Sequence, residues 1–444
     1  MTIRDPDTAA VDSISRASAD DLMSLATQGG RSPMQVGAVL TLEGVTDPGH
    51  VVDAVEGRLP AVPRLRQKLV HLPAVLGRPV WVDDEDFALE DHLCVHPPVR
   101  DMTAVLGLSA DLLLTPLPTH RPLWSARIVP ITDDGATAVI FVLHHALADG
   151  VGALEILELL AGHGAIGGRG FPARAPTTAE LAGDAWRARG RELRRLPASL
   201  RRLVQAIRLL GPSLQRIPPS SLNRPVGTRR RFLPLHGELA PLKHCAHATD
   251  ATVNDVLLVA VSGALRELAR HRGEILDLTV LSVPFSERRD DPAASLGNRS
   301  GAVPVRVPAR GDAIARLHST AAVTRAIKRG QRGASTAVLG PLFRVVSRLG
   351  YFQRFIDHQH LVHSFVTNVA GPSQSLAIGS YRVAEIIPLT VAVGNVTVSF
   401  AALSYAGRVT VTIAVDPDAC PDADLLRTAL KHQLVALTGD QWSS

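Results

Sequence analysis

The sequence is poor in aromatic residues and in cysteine, and it has no long uninterrupted apolar run. Aromatic side chains make up 4% of the 444 residues, although hydrophobic residues make up 46%. Leucine, valine and alanine must therefore fill the core. The three cysteines, Cys94, Cys245 and Cys420, are far apart and have neither metal-binding nor redox spacing. Few, widely spaced cysteines are typical of a protein in a reducing compartment.

Signals for membrane insertion are also missing from the pattern. Residues 1–10 carry two aspartates and no apolar segment, so we expect no secretory signal peptide. A long uncharged stretch, residues 386–407, contains Pro388, Gly394 and alternating β-branched residues. That composition predicts two strands around a turn rather than a transmembrane helix.

The formal net charge is +5, and the excess of arginine is concentrated between Arg169 and Arg231. Such a stretch suits the phosphates of CoA, anionic lipid headgroups or nucleic acid. No sequence signature of a nucleic-acid-binding fold accompanies it, so we expect no nucleic-acid partner. A solvated basic helix face remains an equally simple interpretation.

The most informative stretch runs from His144 to Gly150 and has the pattern HHxxxDG. Residues 137–143 before it are rich in valine and isoleucine, which predicts a buried strand. Apolar residues recur at helical spacing from Val151 to Leu160. Two histidines, an aspartate and a glycine thus lie where a core strand ends and a helix begins.

The chemistry of this stretch permits more than one interpretation. Adjacent histidines cannot both face the same way, so one can enter a cleft while the other packs. A neutral imidazole can take a proton from an alcohol or a thiol. Asp149 could orient the loop, and Gly150 would let the backbone turn. A structural histidine at a strand end is as plausible from spacing alone. A metal site lacks a third ligand in the loop.

HHxxxDG resembles the active-site signature of CoA-dependent acyltransferases, and further segments narrow the resemblance. Pro33–Gly37 (PMQVG), the R-x-R segment at Arg64–Arg66 and the PLW segment at Pro122–Trp124 precede the motif. Later segments, in order, are Leu222–Pro225, Asn254-Asp255, Gly297-Asn298 and Thr367–Pro372. Together they resemble the bacterial wax ester synthase/diacylglycerol acyltransferase family over about residues 20–437. PMQVG replaces the family's PMHVG, and Ser125 stands where many members carry an acid.

The resemblance implies an α/β (α+β) fold of two chloramphenicol-acetyltransferase-like domains with the active site in a channel between them. We predict a first domain at residues 1–165, a basic helical crossover at 166–228 and a second domain at 229–444. Thr252 would cap a long helix, with Asp255 in its first turn. Helix initiation and a family active-site role are both open for Asn254-Asp255.

The resemblance also implies roles for individual residues. The catalytic candidates are His145 as general base, His144, Asp149, Gly150 and Asn254. The substrate-binding candidates are Pro122, Leu123, Trp124, Asp255, Asn298 and Asn368. We expect no metal and no cofactor, with acyl-CoA as a co-substrate.

The predicted function is transfer of a long-chain acyl group from acyl-CoA to diacylglycerol or a long-chain alcohol. We expect a cytoplasmic protein in peripheral contact with the inner membrane surface or with lipid droplets. Two alternatives stay open. One is an acyltransferase of the same fold acting on a polyketide or glycolipid hydroxyl. The other is a non-catalytic lipid-binding or droplet-coating protein.

Overall fold

The computed structural model describes residues 14–25, 33–162, 170–191, 193–194, 216–286, 300–330 and 352–443. Its α-helices are α1 Ala19–Leu25, α2 Pro48–Arg58, α3 Met102–Leu114, α4 Gly150–Leu160, α5 Leu239–Ala248, α6 Val253–His271, α7 Ala313–Gly330, α8 Phe352–Asp357 and α9 Ala423–Thr438. Residues 178–191 are also helical, and we name them the linker helix.

The strands lie between these helices, several of them in succession. They are β1 Gln35–Leu42, β2 Gln67–Val70, β3 Val80–Asp83, β4 Leu93–Val95, β5 Trp124–Pro130, β6 Thr137–His144, β7 Arg231–Glu238, β8 Leu278–Ser286, β9 Ser300–Pro308, β10 Ser364–Ala370, β11 Ala377–Ile378, β12 Tyr381–Leu389, β13 Val398–Tyr405 and β14 Arg408–Val415. The predicted α/β class with two domains is confirmed.

The first sheet has the order β11-β12-β1-β6-β5-β4. Strand β6 lies near its middle, between the antiparallel neighbours β1 and β5, and every one of its residues is buried. A strand covered on both faces needs apolar side chains throughout. This explains the continuous run of valine and isoleucine that predicted the strand.

The second sheet has the order β7-β14-β13-β10-β8-β9. Strand β10 is parallel to both of its neighbours, β8 and β13. Helix α6 packs against this sheet and against α9, and it buries most of its length in the second core. Its first turn has the predicted Thr252 cap, completed as a capping box by Asp255.

Two strands from the second half of the sequence, β11 and β12, belong to the first sheet. Strand β12 pairs with β1 and so belongs to the first sheet, although it follows β10 in the chain. The predicted second domain at 229–444 includes these residues, and that division stays a prediction. Backbone pairing with β1 places β12 in the first sheet, because a strand belongs to the sheet that satisfies its hydrogen bonds.

Polar side-chain contacts hold β12 in place where the two sheets meet. Glu385 on β12 pairs with His236 on β7 and accepts a hydrogen bond of 3.1 Å from Thr410 on β14. The Tyr405 hydroxyl donates to the carbonyl of Val383 at 2.8 Å. Side chains of the second sheet therefore hold the strand that completes the first.

A helix that crosses a bilayer must be both long and apolar. No single helix in the described ranges is long and apolar enough. The pair α5 and α6 meets both requirements jointly, but the two helices are bent by 97°.

Candidate active site

The two histidines lie where β6 ends. The backbone N–H of His144 donates to the carbonyl of Leu123, just before β5, at 3.0 Å. The N–H of His145 donates in the other direction, to Met34 beside β1, at 2.8 Å. The extended pattern of backbone hydrogen bonds thus continues through His145. The side chains of the two histidines therefore project to opposite faces of the sheet.

The faces differ in what covers them. His144 is completely buried, on the face where Leu113 at the end of α3 packs over β1. His145 keeps part of its surface exposed. His144 is therefore enclosed by packing, whereas His145 is not completely covered.

Both imidazoles are held in the neutral form. Burial lowers the pKa of His144 to about 3, with a smaller contribution from the neighbouring His145. Burial also lowers the pKa of His145 below its ordinary value, while the carboxylates of Asp149, Asp21 and Asp20 oppose that shift without reversing it. A neutral His145 can accept a proton near neutral pH and below it.

Asp149 is the N-cap of α4. Its carboxylate accepts a hydrogen bond of 2.9 Å from the N–H of Gly152, and its own carbonyl accepts one of 2.7 Å from Ala153. The side chain is almost fully buried. Asp149 thus fixes the start of the helix that follows His145, and its charge acts on that ring.

Gly150 opens α4, but its backbone does not adopt a left-handed conformation. The backbone conformation at Gly150 is therefore one that other residues also adopt. A Cβ at this position would lie 3.4 Å from a methyl carbon of Val369 and 3.8 Å from one of Thr367, both on β10. Both distances are ordinary van der Waals contacts, so a Cβ would fit between the His145 loop and the second sheet.

The PLW segment lies inside the first core. The carbonyl of Leu123 accepts from His144, and the indole N–H of Trp124 donates to Leu65 at 2.7 Å. The Trp124 ring stacks between His92 and Phe141. The contacts of this segment in the described chain belong to the scaffold that holds β6. Its predicted substrate role stays a prediction.

Asn254 and Asp255 lie in the first turn of α6. Asp255 is buried, and its carboxylate oxygens accept from Thr252 and from the Thr324 hydroxyl at 2.7 Å each. This accounts for Asp255 as a helix-initiating residue. Asn254 is half-buried beside it, and its catalytic role stays a prediction.

Asn368 and Asn298 are the remaining predicted residues. Asn368 is half-buried on β10, between the two residues whose methyl groups approach Gly150. Strand alternation points its side chain away from that contact. Asn298 lies outside the described residues. Within the described ranges, no group of three His, Cys, Asp or Glu side chains could hold a metal ion.

Two residues of the PMQVG segment support the site in ways that the sequence argument missed. Gln35 is fully buried opposite His144 in the β1–β6 pairing. A Cβ on Gly37 would lie 2.5 Å from the carbonyl oxygen of Phe141 on β6. A glycine inside a strand is a signal of close backbone approach. The close contact of Gly37 with β6 could therefore have been predicted from the sequence.

Comparisons with known proteins agree with this arrangement. The wax ester synthase/diacylglycerol acyltransferase catalytic domain model matches residues 18–257, and the C-terminal domain model of that family matches residues 296–438. A Mycobacterium tuberculosis H37Rv protein named "probable diacyglycerol O-acyltransferase" is 27% identical over 427 residues, covering 91% of each chain.

Solved structures share the fold. The wax ester synthase/diacylglycerol acyltransferase from Marinobacter aquaeolei VT8 has a TM-score of 0.66 at 18% identity, covering 96% of this chain and 98% of that one. The first condensation domain of the calcium-dependent antibiotic synthetase has a TM-score of 0.63 at 17% identity, covering 97% and 99%.

Proposed function

The chain belongs to the wax ester synthase/diacylglycerol acyltransferase family and is an acyltransferase, and from that premise we propose the substrates and the base. The acyl donor is a long-chain acyl-CoA, and the acceptor is the hydroxyl of diacylglycerol or of a long-chain alcohol. His145 is the general base. The observation that carries this assignment is a neutral histidine, half-buried as a residue, at the end of a buried strand.

The proposed reaction is a direct transfer. His145 removes the hydroxyl proton as the acceptor oxygen attacks the thioester carbonyl, and a tetrahedral oxyanion forms. Collapse of this intermediate breaks the carbon–sulfur bond, and His145 returns the proton to the departing CoA thiolate. One side chain thus acts first as base and then as acid.

The oxyanion requires hydrogen-bond donors aligned in advance. The amide of Asn254 and nearby backbone N–H groups are the proposed donors, and this assignment rests on the family resemblance. Asp149 maintains the loop through its helix cap. The mechanism needs no acyl-enzyme, so no serine or cysteine nucleophile is assigned.

The diacylglycerol acceptor follows the name of the mycobacterial relative, and the alcohol acceptor follows the name of the family. In the test, purified protein is mixed with labelled palmitoyl-CoA and one acceptor. The acceptor is diacylglycerol, hexadecanol, or a polyketide or glycolipid alcohol. His145→Ala should lower the rate of acyl transfer by about 10²–10⁴-fold, because a positioned base contributes that much. His144→Ala should have a smaller effect.

His363→Asn serves as the matched control, because His363 is a buried histidine in the second half of the chain. Turnover only on a polyketide or glycolipid alcohol would replace the acceptor and keep the mechanism. Lipid binding without transfer to any alcohol would favour the non-catalytic alternative. Normal turnover by a folded His145→Ala variant would overturn the base assignment.

We also propose that the protein contacts a membrane or lipid-droplet surface peripherally, from the cytoplasmic side. The linker helix packs on the first domain through Leu181, and Arg16 pairs with its Asp184 at 2.6 Å. Its outer face exposes Trp186, with 70% of its surface accessible, and Leu193, which is also helical, is 69% exposed. Tryptophan beside basic residues suits the interface between lipid headgroups and acyl chains.

Arg189 joins this face to a second exposed apolar residue. Its guanidinium lies 5.6 Å from the Trp186 ring and donates to the carbonyls of Ala74 and Val75. Val75 is itself 69% exposed. The basic residues of the predicted patch in the described chain are Arg187, Arg191 and Arg194; Arg195, Arg201 and Arg202 lie outside the described residues.

Vesicle flotation tests this contact. Binding should require anionic lipid and weaken with salt, since charges are screened within about 10 Å at 0.1 M. Trp186→Ser should weaken binding, whereas Ile275→Ser, at an 89% exposed position elsewhere, should not. Equal effects of the two substitutions, or binding insensitive to salt, would contradict the proposed surface.

A further inference from the structure

Gln35 and His144 face each other across β1 and β6. The N–H of His144 donates to Leu123, just before β5, and the N–H of the next residue, His145, donates to Met34, just before β1. Gln35 and His144 therefore form a non-hydrogen-bonded pair. Side chains of such a pair leave the same face, with Cβ atoms about 4.5–5.5 Å apart. Both side chains are fully buried.

The orientation of the Gln35 amide is determined by its partners. Its Nε2 donates to the carbonyl of Leu113 at 2.7 Å and to that of Thr115 at 3.0 Å, at the C-terminal end of α3. Both partners can only accept, so the amide cannot be flipped. Its Oε1 must therefore point away from α3.

The tautomer of His144 is determined in the same way. Its Nδ1 accepts a hydrogen bond of 3.1 Å from the N–H of Ala146. A neutral imidazole whose Nδ1 accepts carries its proton on Nε2. The Nε2–H group of His144 is thus a buried donor.

Neither the Nε2 of His144 nor the Oε1 of Gln35 has a hydrogen-bonding partner among the described residues. One is a buried donor and the other a buried acceptor on neighbouring side chains, and each is costly when left unpaired. We propose that Gln35 Oε1 accepts the Nε2 proton of His144, directly or through one bridging water. Gln35 would then be a positioning residue for His145, an inference that rests on the proposed role of His145.

This bond completes a chain of contacts from α3 to the turn that carries the base. The last carbonyls of α3 hold Gln35, Gln35 holds the His144 ring, and that ring holds the N–H of Ala146. Ala146 directly follows His145, whose own N–H is held by Met34. The backbone is thereby fixed on both sides of the base.

Two substitutions at one position separate the acceptor from the donors. Gln35→Glu keeps an acceptor oxygen in either protonation state, whereas Gln35→Met removes both acceptor and donors at similar volume. The direct readout is the ¹⁵N spectrum of histidine-labelled protein, with His144 assigned by the loss of its signals in His144→Asn. Wild type and Gln35→Glu should show a slowly exchanging Nε2 proton on His144, and Gln35→Met should not.

The kinetic readout is kcat against KM. In Gln35→Met, kcat should fall by about tenfold to a hundredfold with little change in KM, because small displacements of a reacting group have effects of that order. Gln35→Glu should retain most of kcat. Gln359→Met is the matched control, since Gln359 is a buried glutamine bonded to Val362 and Asn395 in the second half of the chain. It should leave the His144 signals unchanged.

Persistence of the slow Nε2 proton in Gln35→Met, or its loss in Gln35→Glu, would overturn the proposal. If Gln35→Met does not fold, the Gln35→Glu spectrum still decides the matter. The spectra require no substrate. A failed acyl-transfer assay would therefore count against the proposed function and leave this bond to be judged by itself.

Discussion

Replacing Asp149 by Asn and by Ala separates its two effects, the helix cap and the charge near His145. Asn is as good an N-cap as Asp, so Asp149→Asn should retain the bond to Gly152 and lose only the interaction of the charge with the helix dipole, about 0.3–1 kcal/mol. Asp149→Ala leaves a buried N–H without its acceptor. It should cost about 2 kcal/mol of unfolding free energy.

Both substitutions remove the carboxylate that raises the pKa of His145. The pKa of the base should therefore fall further, and the acid limb of kcat/KM should move to lower pH in both variants. Equilibrium unfolding in urea measures the free energy of unfolding. The pH–rate profile measures the effect of the Asp149 charge on the pKa of His145. The reasoning is refuted if the acid limb moves upward, or if Asn destabilises the protein as much as Ala.

Three further predictions concern strand packing, acid stability and kinetics. Gly37→Ala should destabilise the protein and reduce kcat, because its Cβ would meet the Phe141 carbonyl at 2.5 Å; Gly107→Ala, with open space around it, is the control in urea unfolding. Burial lowers the pKa of His363 to about 4 from 6.5, so the stability that its neutral form contributes is present above pH 6.5 and is lost as pH falls toward 4. His363→Asn should flatten that dependence in denaturation measured at several pH values. Double-reciprocal plots at several acceptor concentrations should intersect, and parallel lines with a trapped acyl-protein would exclude direct transfer.

Much of the scaffold could be predicted from local patterns. The apolar run before His144, the helical spacing after Gly150 and the Thr252–Asp255 cap each depend on residues close in sequence, and each was confirmed. The pairing of β12 with β1 could not be predicted in this way. It depends on backbone hydrogen bonds between segments more than 300 residues apart.

The site was predictable to a similar extent. The motif located both histidines, and the alternation of side chains along β6 explains why only His144 is completely buried. The supporting role of Gln35 was missed because it follows from strand register, which the sequence does not state. Gly150 was expected to let the chain turn because glycine often marks a turn, whereas its helical backbone conformation is visible only in the structure.

The position of β12 has a consequence for synthesis on the ribosome. Strand β1 is translated early, but its partner on one edge comes only with residues 381–389. At about 5–20 residues per second, that edge would remain unpaired for roughly 20–70 s. An exposed strand edge can pair with other chains, so the nascent first half should depend on chaperones until its last strand emerges. A truncated chain that ends before β12 should aggregate even though it contains both histidines.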